Sequence, residues 1–378
     1  MHILDSSDLH VLFETLISRG YTLVGPTVRS EAIVYDQINT VDDLPRGLRD
    51  EQSPAHYALK RVDDDLYFGF VVGPQSWKKY LYPPRLTLFS ASKSGKGFTV
   101  STSAAESPAR KLAFFGVRPC ELAAIAVQDR VFTSGEYVDP TYKMMRESVF
   151  IVAVNCTISG GNCFCASMGT GPEARSGFDI VLTEMNQAGR HYFTVASGSE
   201  RGESLLKVLP GAKAGAEQEK AAGETLRMAA SSQLKRMASD VAPQLLKDNF
   251  EHPRWDDVAK RCLACTNCTM VCPTCFCSTV EDSTDLSGTR ADRTRRWDSC
   301  FTMDFTKVAG GNIRPSTRAR YRQWLTHKLS NWVDQFGTSG CVGCGRCITW
   351  CPAGIDITAE VDAIRGTGPQ EQGVAHAS

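Results

Sequence analysis

The sequence predicts an α/β or α+β domain over residues 1–205, followed by a mainly α-helical domain over residues 255–365 whose chemistry is carried by cysteine. Three observations support that division. In the first half, short apolar runs bounded by turn residues alternate with helical periodicity. A small, polar stretch, GAKAGAEQEKAA at 211–222, then breaks the texture. Two spaced cysteine motifs with Arg-rich sequence between them dominate the rest. A chain of 378 residues is long enough for two such units, each burying its own core.

The elements follow in order. Leu9, Val11, Leu12, Leu16 and Ile17 recur on a helical period, with Ser7 or Asp8 as the cap and Gly20 as a left-handed stop. YTLVGPTV, EAIVYDQI and LYFGFVV read as strands, rich in β-branched and aromatic residues and bounded by Gly, Pro and Asp. From Lys111 the pattern becomes strand, turn and helix: KLAFFGV, RPC, ELAAIAVQDRVF. FIVAVN, FDIVLTEM and HYFTVAS suit the centre of a sheet covered by helices. Residues 206–254 read as linker and helix, interrupted at Pro243, and residues 366–378 as a disordered tail.

Lys+Arg and Asp+Glu each number 42, which leaves no global charge to attract nucleic acid or an anionic membrane. The longest apolar runs fall far short of the ~20 residues of a membrane helix. The N-terminus lacks the basic flank and unbroken apolar core of a signal peptide, so a reducing cytoplasmic location is expected. There, the fifteen cysteines are available as thiolates for soft metals rather than as disulfides.

Eight of them form two copies of one pattern, C-x2-C-x2-C-x3-C-P. Cys262, Cys265, Cys268 and Cys272 precede Pro273, and Cys341, Cys344, Cys347 and Cys351 precede Pro352. This is the spacing of bacterial 4Fe-4S sites, in which the fourth cysteine reaches the other cluster. Cluster one is therefore assigned to Cys262, Cys265, Cys268 and Cys351, and cluster two to Cys341, Cys344, Cys347 and Cys272. Structural zinc also uses paired C-x2-C units, but it leaves the doubled four-cysteine motif with its proline unexplained.

Residues 254–330 hold 13 Lys/Arg against 8 Asp/Glu, a basic surround suited to anionic clusters, with Arg293, Arg295, Arg296, Arg318, Arg320 and Arg322 as candidates. A solvated helix face carrying ion pairs is the alternative for any one of them. No G-x-G-x-x-G follows a strand and no G-x4-G-K-[ST] is present. Two clusters without a visible nucleotide motif describe an electron conduit, a non-catalytic subunit of an oxidoreductase complex.

The block CVGCGRCITWCP, the phrase RRWDSCFTMDFTKVAGGNIRPSTRARYRQWLTHK, and the upstream NCFCASMGTGP, GFDIVLTE and GVRPCEL resemble the β subunit of the sulfhydrogenases, the cytoplasmic NAD(P)-linked nickel-iron hydrogenases. They are also similar to the iron-sulfur component of anaerobic sulfite reductase, the alternative assignment. The resemblance spans about residues 110–360. It implies a ferredoxin-like dicluster fold for the C-terminal domain. It also implies electron relay beside a flavoprotein subunit that binds FAD and NAD(P) and beside small iron-sulfur and large nickel-iron subunits, with FAD, NAD(P) and nickel on those partners only.

Seven cysteines remain. Cys120 follows FFGVRP at a helix start, where thiol pKa values fall, and Cys156 also follows a strand. If those strands are parallel, their carboxyl ends face one crevice. The two C-F-C copies, Cys163/Cys165 and Cys275/Cys277, are expected to meet across the domain boundary as a third metal site, with Cys120, Cys156 and Cys300 as alternates. The competing reading is a layer of buried reduced thiols.

Overall fold

A computed structural model of the chain describes residues 1–102, 111–187 and 189–366. Its centre is a mixed eight-stranded sheet. In spatial order the strands are Ala212–Lys213, His2–Asp5, Arg190–Ser197, Ile180–Gln187, Phe150–Val154, Leu112–Val117, Thr22–Arg29 and Ala32–Gln37. The four from Ile180–Gln187 to Thr22–Arg29 are parallel, and the flanking pairs are antiparallel. Leu112–Val117 and Phe150–Val154 are buried along their whole length, which explains their unbroken apolar sequence.

Alternation along these strands feeds two cores. Phe115, Val152 and Val154 meet Leu12, Phe13 and Leu16 of the helix Leu9–Ser18 on one face. Phe114 and Ile151 meet Trp77, Ile125 and Tyr142 on the other, where the helix Pro119–Phe132 lies. A third core, built on Trp255, Tyr321, Trp324, Leu325 and Ile357, belongs to helices of the C-terminal part: Arg254–Arg261, Thr317–Thr326 and Ile357–Gly366.

Two expectations need correction. LYFGFVV is buried but is not a strand. The Glu184 carboxylate accepts from the Tyr67 and Phe68 N–H groups at 2.7 and 2.8 Å, and Arg118 donates to the Phe68 and Phe70 carbonyls, so side chains satisfy a backbone that no strand pairs. The low-complexity stretch, read as linker and helix, enters the helix Ala216–Ser231. The Arg-rich insert between the cysteine motifs is not all helical. Ser278–Thr284 and Arg290–Trp297 form a hairpin that pairs with Arg85–Ser94, making a four-stranded antiparallel sheet from both halves of the chain. The arginines there lie on the strand Arg290–Trp297, and the turn is made by Asp285, whose carboxylate accepts from the Thr289 and Arg290 N–H groups. Of the expected tail, all beyond Gly366 lies outside the described residues.

The two halves are tied by a fully buried ion pair. Arg346 donates to Glu121 at 2.6 Å, with both side chains at 1% exposure or less. Glu121 also accepts from Tyr35 Oη and Trp77 Nε1, and Arg346 donates to the carbonyls of Gly73 and Gln75. Breaking a buried pair from one side costs roughly 3–5 kcal/mol, because the other charge is stranded. Glu121→Ala should therefore lower the denaturant midpoint of the purified chain by an amount of that order, and a change under about 1 kcal/mol would show that the pair does not hold the junction.

Candidate metal centre

The two cysteine motifs share one local geometry. The helix Arg254–Arg261 stops at Cys262, where the backbone becomes extended. Ala264 and Thr266, flanking Cys265, take left-handed φ values of 50° and 70°. A one-turn helix, Asn267–Met270, then contains Cys268, and Cys272 lies beyond it. In the second motif Gly343 and Gly345 flank Cys344 with φ of 65° and 74°, the helix Arg346–Thr349 contains Cys347, and Cys351 lies beyond it. Alternating backbone hand of this kind turns successive N–H groups into an anion-binding concavity, as in many iron-sulfur sites. Left-handed geometry costs roughly 1–2 kcal/mol at each of Ala264 and Thr266, a strain typical of functional loops.

The second motif requires glycine for a further reason. A Cβ on Gly343 would lie 2.7 Å from the backbone of Phe164 and Cys165, and one on Gly345 would lie 2.4 Å from the Asn162 carbonyl oxygen. The loop 162–165 thus packs directly on this motif, and the Phe164 N–H donates to the Gly343 carbonyl at 2.9 Å.

Cys262, Cys265, Cys268 and Cys351 line a largely apolar cavity with about 430 Å³ of empty space, walled by Phe301 and Trp324 and with Cys347 also on its wall. Burial pushes the Cys268 thiol well above the usual range, and the neighbouring charges that add to this are those of Cys262, Cys351, Cys265 and Cys272. For Cys347 the first cause is again burial, followed by Cys341, Cys344, Cys272 and Cys268. Cys351 thus shares a pocket wall with Cys262, Cys265 and Cys268, and Cys272 is a near neighbour of Cys341, Cys344 and Cys347 as well as of Cys268. Thiols so crowded resist ionisation one by one, and metal binding is what stabilises them as thiolates. Among the described residues, no three His, Cys, Asp or Glu side chains converge as around a single ion. Cluster thiolates bind separate irons, so the donor set fits that chemistry better.

Residues 261–355 match the family model of the 4Fe-4S dicluster domain. Over 350 residues the chain is 30% identical to sulfhydrogenase 2 subunit beta of Pyrococcus furiosus, covering 90% of this chain and 91% of that one. The chain belongs to the sulfhydrogenase β-subunit family. An iron-sulfur electron-transfer role follows from that membership and from the dicluster domain. No solved structure matches the chain at a significant level. Among the described residues of this sulfhydrogenase β-family chain, no helix is long and apolar enough to cross a membrane.

Positive charge reaches the thiols by a route the sequence did not reveal. Lys328 lies in a π-helical turn, His327–Asn331, and its buried ammonium donates to Cys272 Sγ at 3.3 Å, Cys275 Sγ at 3.5 Å and Thr274 Oγ1 at 3.1 Å. Burial alone would lower its pKa, but the thiolates of Cys272, Cys275 and Cys341 outweigh that and hold it well above the lysine range. Lys78 is buried nearby, donating to the Cys275 carbonyl at 3.0 Å and lying 3.9 Å over the Trp297 ring. On the other side, burial raises the Cys344 thiol and the Arg346 guanidinium opposes it.

Most of the arginines expected to compensate the clusters are engaged elsewhere. Arg293 pairs with Asp282, Arg295 with Asp139, Arg296 with Glu281, and Arg318 and Arg322 with Glu251. Arg320 is the exception: it is buried, and its charge opposes the burial-raised pKa of Cys262. Arg346 could have been noticed in sequence, since it stands between two ligands of the second motif; Lys328 carried no such signal.

The two C-F-C pairs do not share a site. Cys275 sits beside Cys272, and Cys277 beside Cys300, whose hydrogen bond lowers the Cys277 thiol to about 7 against the opposing effect of burial. Phe276 packs there against Phe132 and Trp332. Cys163 and Cys165 instead line a separate cavity with Cys120 and Cys156, and neither Cys275 nor Cys277 is on its wall. The intervening motif holds the pairs apart. Burial and then Cys165 push the Cys120 thiol well up, despite its place in the first turn of a helix.

A unit charge a few ångströms away, in an effective dielectric near 20, amounts to ~3 kcal/mol, on the order of 100 mV for one electron. Lys328→Met should therefore make one dicluster potential more negative by that order and leave the other nearly unmoved, as read by EPR-monitored redox titration. Unchanged potentials would remove Lys328 from the electrostatics of the site.

Proposed function

We propose that the chain holds one 4Fe-4S cluster on Cys262, Cys265, Cys268 and Cys351 and another on Cys341, Cys344, Cys347 and Cys272. On this reading it is the electron-transfer subunit of an NAD(P)-linked nickel-iron hydrogenase. It works between a flavoprotein subunit that binds FAD and NAD(P) and the small iron-sulfur and large nickel-iron subunits. The observation that carries the reading is the repeated left-handed loop geometry, with Cys351 on the pocket wall of the first motif's cysteines. When bound, each cluster would take up and release a single electron.

The residues around the thiols fit that task. Phe301, Tyr321, Trp324, Ile355 and Ile357 wall the inner side of the first set with apolar surface. Cys265 is exposed, and its neighbour Leu263 is 68% exposed, so this set meets solvent where another subunit could dock. The second set is deeper, with Cys341, Cys344 and Cys347 held among Lys328, Arg346 and the 162–165 loop.

Crossed ligation makes a specific spectroscopic prediction. Cys351→Ser and Cys265→Ser should perturb the same EPR signal of the reduced chain, while Cys272→Ser and Cys344→Ser should perturb the other. If Cys351→Ser instead tracks with Cys344→Ser, the crossing is wrong. For the partners, native co-purification should bring nickel and flavin with the chain. Siroheme iron without nickel would move the assignment to a sulfite reductase complex.

A further inference from the structure

The strands Leu112–Val117 and Phe150–Val154 are parallel, so their carboxyl ends open at one edge of the sheet. Cys120 lies in the first turn of the helix that follows one strand, and Cys156 lies just after the other. The chain then turns back and brings Cys163 and Cys165 to the same opening. These four thiols line one partly open pocket with about 340 Å³ of space between its walls, against about 430 Å³ at Cys262.

Plain thiol packing does not account for this arrangement. Small buried hydrophobes close up on their neighbours, because interior atoms facing a void lose dispersion contacts. Here space is left among four cysteines from three separate segments. Donors are aimed at the sulfurs as well. Gln233 Nε2 donates to Cys165 Sγ at 3.1 Å, and its Oε1 is held by the Ala166 N–H. Arg118 Nη1 reaches Cys156 Sγ at 3.7 Å, while its Nη2 is fixed on the Phe68 and Phe70 carbonyls. Such hydrogen bonds orient and tune metal-bound sulfur. Space is kept at the rim too: a Cβ on Gly171 would stand 3.0 Å from Cys165 Sγ.

We propose that Cys120, Cys156, Cys163 and Cys165 hold a third iron-sulfur cluster, of the 4Fe-4S type. Four thiols are its ordinary ligand set. A tetrahedral zinc ion would need its sulfurs roughly 3.8 Å apart, and no such convergence is present among the described residues. The buried Arg118 guanidinium supplies positive charge on one side. Cys344, assigned above to the second cluster, lies on the wall of the same cavity, so the third site directly adjoins the dicluster.

The test is iron, zinc and acid-labile sulfide per full-length chain after anaerobic purification or reconstitution, with EPR of the reduced protein. About twelve irons are expected, against about eight for a dicluster alone. The double variant Cys156→Ser/Cys163→Ser should fall to about eight irons and keep both dicluster signals, whereas Cys275→Ser/Cys277→Ser should stay near twelve. About eight irons in the unaltered chain, with or without one zinc, overturns the third cluster while leaving the dicluster assignment standing. The unaltered chain's count decides even if a variant fails to fold.

Discussion

The Glu121 carboxylate, 1% exposed, lies where the Arg346 guanidinium, the Tyr35 hydroxyl and the Trp77 indole converge, and the structure on either side is set by what that carboxylate accepts. An unpaired carboxylate at such depth would not stay ionised. Its partner comes from between Cys344 and Cys347, so satisfying Glu121 fixes the second cysteine motif against the first turn of the helix Pro119–Phe132. That turn also carries Cys120, and the Arg118 N–H donates to the same carboxylate at 3.3 Å. One buried charge thereby positions two groups of thiols that are more than two hundred residues apart in sequence.

The two motifs are near copies whose differences follow from their surroundings. Where the first uses Ala264 and Thr266 in left-handed conformation, the second uses Gly343 and Gly345. Backbone hand alone does not demand the glycines, since the first motif manages without them. Steric contact does, because the 162–165 loop occupies the volume any side chain there would need. The same contact determines where charge is placed. With the loop on one flank and the π-helical turn His327–Asn331 on the other, Cys341 is buried, and cations near it must be supplied from within the protein.

What could be read in the sequence divides along the same physical line. Strands such as KLAFFGV and FIVAVN were legible because burial on both faces writes a continuous apolar run, and the cysteine motifs because ligand spacing is local. LYFGFVV misled because apolar content reports burial and not backbone pairing; its N–H groups depend on Glu184, more than a hundred residues away. The stretch Ser278–Trp297 looked helical on arginine content, although the TDLSGT turn after the β-branched Thr279 and Val280 was a hairpin signal. The pairing of NCFC with CPTCFC came from likeness of sequence, which says nothing about position. The parallel strands ending near Cys120 and Cys156 were the better guide, since topology does fix position.

Buried cations and surface arginines differ in kind as electrostatic partners. Arg293 and Arg296 are exposed and spent on Asp282 and Glu281, and at physiological salt their residual fields decay within a Debye length of about 8 Å. Lys328 and Arg346 lie inside, within reach of the sulfurs and beyond the reach of counterions. They oppose the mutual repulsion of thiolates in the deep set, whereas the Cys265 set can draw on solvent for part of its stabilisation. The two sets are therefore stabilised by different means, one by fixed charge and one by partial hydration.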